Sequence, residues 1–158
     1  MERIMHSRHI VVAACVLGWM GASARALGAQ EVSALQVRDA WVRWLPGNLP
    51  AGGYITLVNT GDQPTSLIAA SCPDYAQVSL HRSRTVAGTS QMIAVHKVTV
   101  APHSSLVFAA QGYHLMLAHP NRILKPGDRV AVTLSFAEGA ALTVPFELRP
   151  PDAGADMH

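Results

Sequence analysis

The sequence predicts an all-β domain, a Greek-key β-barrel or β-sandwich, behind a leader of different composition. Three observations carry that prediction. Apolar and polar residues alternate with a period of two in run after run from Val37 onward, turn signals rich in glycine and proline separate the runs, and no apolar stripe with a 3.6-residue repeat is long enough for a helix. The 158 residues suffice for one domain with a real core and are too few for two comfortable ones.

In chain order, Arg3 and Arg8 precede the apolar run Ile10 to Met20, and small residues follow. That pattern is a secretory signal peptide over residues 1–29, with cleavage expected after Ala24, Ala26 or Ala29. Its apolar run is about half the roughly 20 residues needed to cross a bilayer. Val12-Ala13-Ala14-Cys15 has the look of a lipoprotein box, but the apolar stretch ahead of it is short, so an ordinary signal is the reading adopted. No later segment is apolar for long enough to span a membrane, so the mature chain is expected to be a soluble monomer in the periplasm. Cys15 falls inside the signal, which leaves Cys72 alone in the mature chain and no intramolecular disulfide.

The β domain is expected over residues 30–149. Its early strands are Val37 to Trp44, Gly53 to Asn59 and Ser66 to Ser71; three middle runs are Ala76 to Arg82, Gln91 to Lys97 and Gly112 to Ala118. Near the end, Val130, Leu134 and Phe136 alternate with Arg129, Thr133 and Ser135, and Leu142, Val144, Phe146 and Leu148 form a second half-buried strand, with Glu138-Gly139 as the turn between them. Asn59-Thr60-Gly61-Asp62 and Lys125-Pro126-Gly127-Asp128 mark further turns. Seven to nine strands result. The tail, residues 150–158, has no apolar pattern and is expected to be disordered. The 12 Lys and Arg against 10 Asp and Glu give a net charge of only +2, scattered rather than striped, which argues against a nucleic-acid partner.

The phase of the middle runs holds the chemistry. Alternate residues of a strand face opposite sides. Val78 and Leu80 set the core face of the first run, which places His81 on the other. Ile93 and Val95 do the same for the second run and turn Met92 outward. Tyr113, Leu115 and Leu117 fill the core face of the third, leaving His114 and Met116 together on the outer face. Methionine is ordinarily an adaptable core filler, yet Met92 and Met116 are out of phase with their apolar neighbours. Thioether sulfur is a soft, neutral ligand that favours copper(I), and imidazole serves several transition metals, so two His with two Met point to copper(I) rather than zinc. Exposed His and Met on a β surface are more often solvated bystanders, and phase alone does not decide between these readings.

The spacing adds weight: His81, ten residues, Met92, twenty-one residues, then His114-Leu115-Met116. With Ala51-Gly52-Gly53-Tyr54-Ile55-Thr56-Leu57-Val58-Asn59-Thr60-Gly61, Gly112-Tyr113-His114-Leu115-Met116-Leu117 and Leu124-Lys125-Pro126-Gly127-Asp128, the chain resembles the periplasmic copper chaperones called PCu(A)C proteins over nearly its whole mature length. The resemblance implies a cupredoxin-like β-barrel. It also implies copper(I) ligation by His81, Met92, His114 and Met116, and a non-enzymatic role delivering copper(I) to the dinuclear copper site of cytochrome c oxidase or to another envelope cuproprotein. One departure is Arg82, where many family members carry Met; a positive charge is therefore expected beside the site, and Arg82 and Arg84 are candidates to meet an acidic recipient.

His96 shares the outward phase of Met92 and is an auxiliary ligand candidate, although a solvated surface His is the simpler reading. Met157 and His158, in the tail, are candidates for a further copper site. His103 and His119 sit beside prolines in turns and are left out. Cys72 reads as a small buried residue, and Trp41, Trp44 and Tyr54 as core or edge packing. Competing readings are a blue-copper electron carrier, a metal-free envelope β-sandwich interaction module, and a copper scavenging or resistance protein. The first needs a cysteine close to the His and Met ligands, and Cys72 lies outside the cluster.

Overall fold

The computed structural model describes residues 34–153. Ten strands follow in order: β1 (Leu35–Arg43), β2 (Ala51–Asn59), β3 (Thr65–Ser71), β4 (Tyr75–Val86), β5 (Thr89–Ala94), β6 (Val98–Val100), β7 (Ser104–Val107), β8 (Tyr113–Pro120), β9 (Arg129–Phe136) and β10 (Ala141–Arg149). They form one sheet path, β5-β4-β8-β2-β1-β10-β9-β3-β6, with β7 pairing the second half of β2. Every pair is antiparallel except β1 with β10. β6 approaches β2 and β7, so the far end of the path curls back to its middle and encloses one core. Leu57, Leu67, Leu115, Leu117, Leu134, Phe146 and Leu148 are buried in that core. The all-β expectation holds.

Eight of the strands coincide with the runs read from alternation. β6 and β7, with three and four residues, are too short to show a period. The β4–β5 hairpin is longer than its apolar pattern: Arg82↔Ile93 through Val86↔Thr89 extend past the core as a ribbon exposed on most positions, and its polar side chains carry no burial signal. Ala87 (φ 48) and Gly88 (φ 79) close it in the left-handed conformation that a two-residue hairpin turn requires. Two expectations are corrected by this extension. Ile93, expected to set a core face, is exposed because no core lies beneath the ribbon, and the run expected to reach Lys97 ends at Ala94, with the Val95 amide donating to the Leu80 carbonyl.

In β1 the register shifts between Arg38 and Trp41, where Asp39 takes a positive φ of 52°. This bulge changes the phase of the strand. Val37 before it and Val42 after it both reach the core, and Trp41 and Arg43 are turned to the outer face. β8 packs against β2 where Gly53 opposes Leu115. A Cβ at Gly53 would come within 2.9 Å of Leu117 Cδ1 and 3.0 Å of Leu115 Cβ, and the latter cannot yield without backbone movement. Gly53→Ala is expected to cost about 1–3 kcal/mol by overpacking, read as a lower urea midpoint with an unchanged slope.

Candidate metal centre

β4 and β8 are joined in an antiparallel register that sets His81 directly opposite His114 and Ser79 opposite Met116. On the other side of β4, Ser83 is opposite Met92 of β5. Directly opposed residues share a face, and so do residues two apart on one strand. His81, Met92, His114 and Met116 therefore lie on one outer face of the β5-β4-β8 layer. The two imidazole rings are 6.0 Å apart between centroids and inclined by 30°. Met92 and Met116 are each diagonal neighbours of His81, a relation that spans about 7–8 Å at the backbone and is within reach of long side chains.

The ring nitrogens are not equivalent. His114 Nδ1–H donates to the Gly112 carbonyl at 3.2 Å, which leaves Nε2 with its lone pair. His81 Nε2 is 3.0 Å from Ser79 Oγ, while its Nδ1 is buried with no hydrogen-bond partner. A buried polar atom left without a partner costs on the order of 1–3 kcal/mol, so Nδ1 is a place where a ligand would relieve a penalty. Burial, and secondarily the charge of His114, push the His81 imidazole below its usual 6.5. Both causes favour the neutral ring, which is the metal-binding form.

The donor set on this face is two neutral nitrogens and two neutral sulfurs. Among the described residues no cluster of three or more His, Cys, Asp or Glu exists that would suit a harder ion. Burial is graded across the four. His114 is only 5% exposed, His81 and Met116 are half-buried, and Met92 is 56% exposed. His114 is on the outer face yet buried there, on a strand that runs between β4 and β2.

Beyond Met116 the same face continues onto β2 and β1. Gly52 opposes Met116, and the Tyr54 hydroxyl lies over it, 2.6 Å from where a Cβ would stand. Tyr54 packs on Trp41 with ring centroids 4.6 Å apart, and both are buried outside the main core. The Arg43 guanidinium covers both rings, at 5.9 Å from Trp41 and 5.4 Å from Tyr54, and that of Arg149 lies 5.2 Å from Trp41. Trp41 and Tyr54, expected as core or edge packing, thus form an arginine-roofed wall beside the candidate ligand face.

Arg82 is placed differently from the expectation. It alternates with His81, so it points to the opposite face, where its guanidinium stacks 5.0 Å from the Tyr113 ring. Its charge is behind the candidate ligands rather than among them. His96 is exposed beyond the end of β5, where the alternation that would align it with Met92 has stopped. Met157, His158, Cys15 and the signal segment lie outside the described residues. Cys72 is buried in the core, as expected, and burial pushes its thiol up from its usual range. A groove of about 430 Å³ between Trp44, Leu49, Tyr75, Pro120 and Ile123 is lined by none of the four ligand candidates. Ser79 and the Gly112 carbonyl, which orient the two rings, were not singled out by sequence. The available signal was their position, two residues from each His and in the same phase.

A curled sheet of this topology with His and Met on an outer face is the PCuAC type of cupredoxin-like β domain, and the solved structures agree. A copper-bound PCuAC domain from PmoF2 superimposes with a TM-score of 0.62 at 24% identity, over 75% of this chain and 94% of that one. Copper(I)-DR1885 from Deinococcus radiodurans, solved in solution, gives 0.62 at 29% identity, over 80% of this chain and 85% of that one. The chain belongs to the LpqE-like family: the family model described as "Putative lipoprotein LpqE-like" matches residues 35–148. It is also 30% identical over 144 residues to "Putative lipoprotein Lxx21020" of Leifsonia xyli subsp. xyli (strain CTCB07), covering 87% of this chain and 86% of that protein.

Burial of the His81 ring makes the metal-free chain lose stability on acidification. Above pH about 6.5 the ring is neutral in both folded and unfolded states. As pH falls through 6.5 the unfolded chain takes the proton first, and stability is lost until the folded ring protonates as well. Two-dimensional NMR of the imidazoles should find His81 titrating below 6.5, and His114→Ala should return it only part of the way, since burial is the larger cause.

Proposed function

We propose that the chain is an exported copper(I) chaperone of the cell envelope, binding one ion through His81, Met92, His114 and Met116 and passing it on by ligand exchange. The observation that carries this reading is the register of β4 with β8. It sets two imidazoles face to face, each with a nitrogen free of hydrogen bonds, between two methionines that the core does not use. The copper-bound state of two of its structural neighbours supports it.

Thioethers and neutral imidazoles bind copper(I) without losing a proton and cannot be lost to disulfide formation, which suits an oxidising compartment. An acceptor ligand can enter on the side of exposed Met92, displace that sulfur and then draw the ion from the deeper ligands. Copper moves as Cu⁺ throughout, and no substrate bond is broken, so the role is not enzymatic. Among the described residues no helix is long and apolar enough to cross a membrane. The lipoprotein names of the family and of the Leifsonia relative support export to the envelope. The signal over residues 1–29 and release into the periplasm belong to this proposal, as does the dinuclear copper site of cytochrome c oxidase as the recipient. The lipoprotein names favour a second route of export, lipid attachment at Cys15, and the mass of the mature chain separates the two. A blue-copper electron carrier is disfavoured, because Cys72 is a protonated core thiol away from the ligand face.

An anaerobic copper(I) competition titration against a chromogenic chelator tests the reading. One tight equivalent is expected in the parent, with at least tenfold weaker binding in Met92→Ile and in Met116→Ile, each of which keeps bulk and removes sulfur. Binding indifferent to both changes would overturn it.

A further inference from the structure

Between Asp74 and Asp128 the chain contains no Asp or Glu. This stretch holds β4, β5 and β8, hence all four ligand candidates, and β2 beside them has no acid either. Its basic residues nearest the ligands are Arg82 and Arg84 on the β4–β5 ribbon and Lys97 just past β5. Among the described residues none of the three has an ion-pair partner; the acids Asp62, Asp74, Asp128 and Glu147 are engaged by His103, Arg122 and Arg149 elsewhere. On the far side of the ligand face Arg43, whose Nε is buried without a partner, covers Trp41 and Tyr54, while Arg149 beside it is paired with Glu147 and adds no free charge.

From this segregation we infer that the ligand-bearing edge is the docking surface for an acidic protein surface, one in which carboxylates rim the copper-accepting site. The inference rests on the copper(I) reading above and specifies its partner. Arg82 is held by its stack on Tyr113 one residue away from each His, and Arg84 stands about 10 Å along the strand from His81, a distance comparable to the screening length at physiological salt. Both side chains point to the face opposite the ligands and are exposed there, so their charge acts at the rim of the β4–β5 ribbon and through space rather than from among the ligands.

All four ligands are neutral, so loading adds a full positive charge to this edge and unloading removes it. An acidic acceptor is therefore held more strongly by the loaded form than by the empty one. That gives the transfer a direction without any change of fold. In the exchange a copper–thioether bond breaks and a bond to the acceptor forms; where the acceptor ligand is a thiol, its proton passes to the buffer, and no electron is exchanged.

Two synthetic acceptor peptides test this, each with the same pair of cysteines, one flanked by Asp and Glu and the other by Asn and Gln. Transfer from the copper(I)-loaded chain is followed by stopped flow at 20 and 300 mM salt. The acidic peptide should take copper about tenfold faster at low salt, and the advantage should shrink at high salt. The double variant Arg84→Glu/Lys97→Glu should reverse the preference while retaining the parent's copper(I) affinity. Equal rates for the two peptides at low salt would overturn the inference and leave the chaperone reading intact, and a failure to bind copper(I) in the parent would instead remove that reading. Equal peptide rates combined with binding of the loaded chain to phosphatidylglycerol vesicles, abolished by the double variant, would assign the cations to a membrane and equally overturn it.

Discussion

The site depends on one constraint, the antiparallel register in which His81 of β4 stands opposite His114 of β8. Side chains alternate with a period of two, so a slip by one residue would send every outer group of one strand into the core and every core group out. Leu80, Leu115 and Leu117, all nearly inaccessible, forbid that slip. The apolar contacts thus fix not only the fold but the pairing of two imidazoles, and Ser79 and the Gly112 carbonyl then each engage one nitrogen of a ring.

Around that fixed pair the structure is graded in stiffness. His114 sits on a strand held on both sides by β4 and β2, whereas Met92 sits on β5, the last strand of the path, on a ribbon with little core beneath it. A carrier has two conflicting needs, to hold the ion and to let it go. On the proposed function, buried, hydrogen-bonded histidine on a central strand would serve the first, and an exposed thioether on an edge strand the second. Edge strands are commonly blunted by charge, and here Arg84 and Lys97 flank the edge that carries the ligand.

Most of this was legible in the sequence. Alternation located the eight longer strands and put His81, Met92, His114 and Met116 out of phase with the core, because a half-buried strand writes its faces directly into its composition. What alternation did not show has specific causes. The outer half of the β4–β5 ribbon buries neither face, so Ser83, Thr85, Thr89 and Ser90 give no period to read. The bulge at Asp39 changes the phase of β1 midway, which hid that Trp41 lies with Tyr54 in a wall on the candidate ligand face. The depth of His114 and the direction of Arg82 depend on which strands lie alongside, which is a property of the whole sheet order rather than of any one run.

X-ray absorption at the copper edge of the chain loaded with one equivalent of copper(I) tests the central claim most directly. Ligation by His81, Met92, His114 and Met116 gives a copper(I) edge with a first shell of two nitrogen and two sulfur scatterers, and imidazole outer-shell features. A shell of nitrogen and oxygen alone, or a copper that is oxidised on loading under anaerobic conditions, would contradict it.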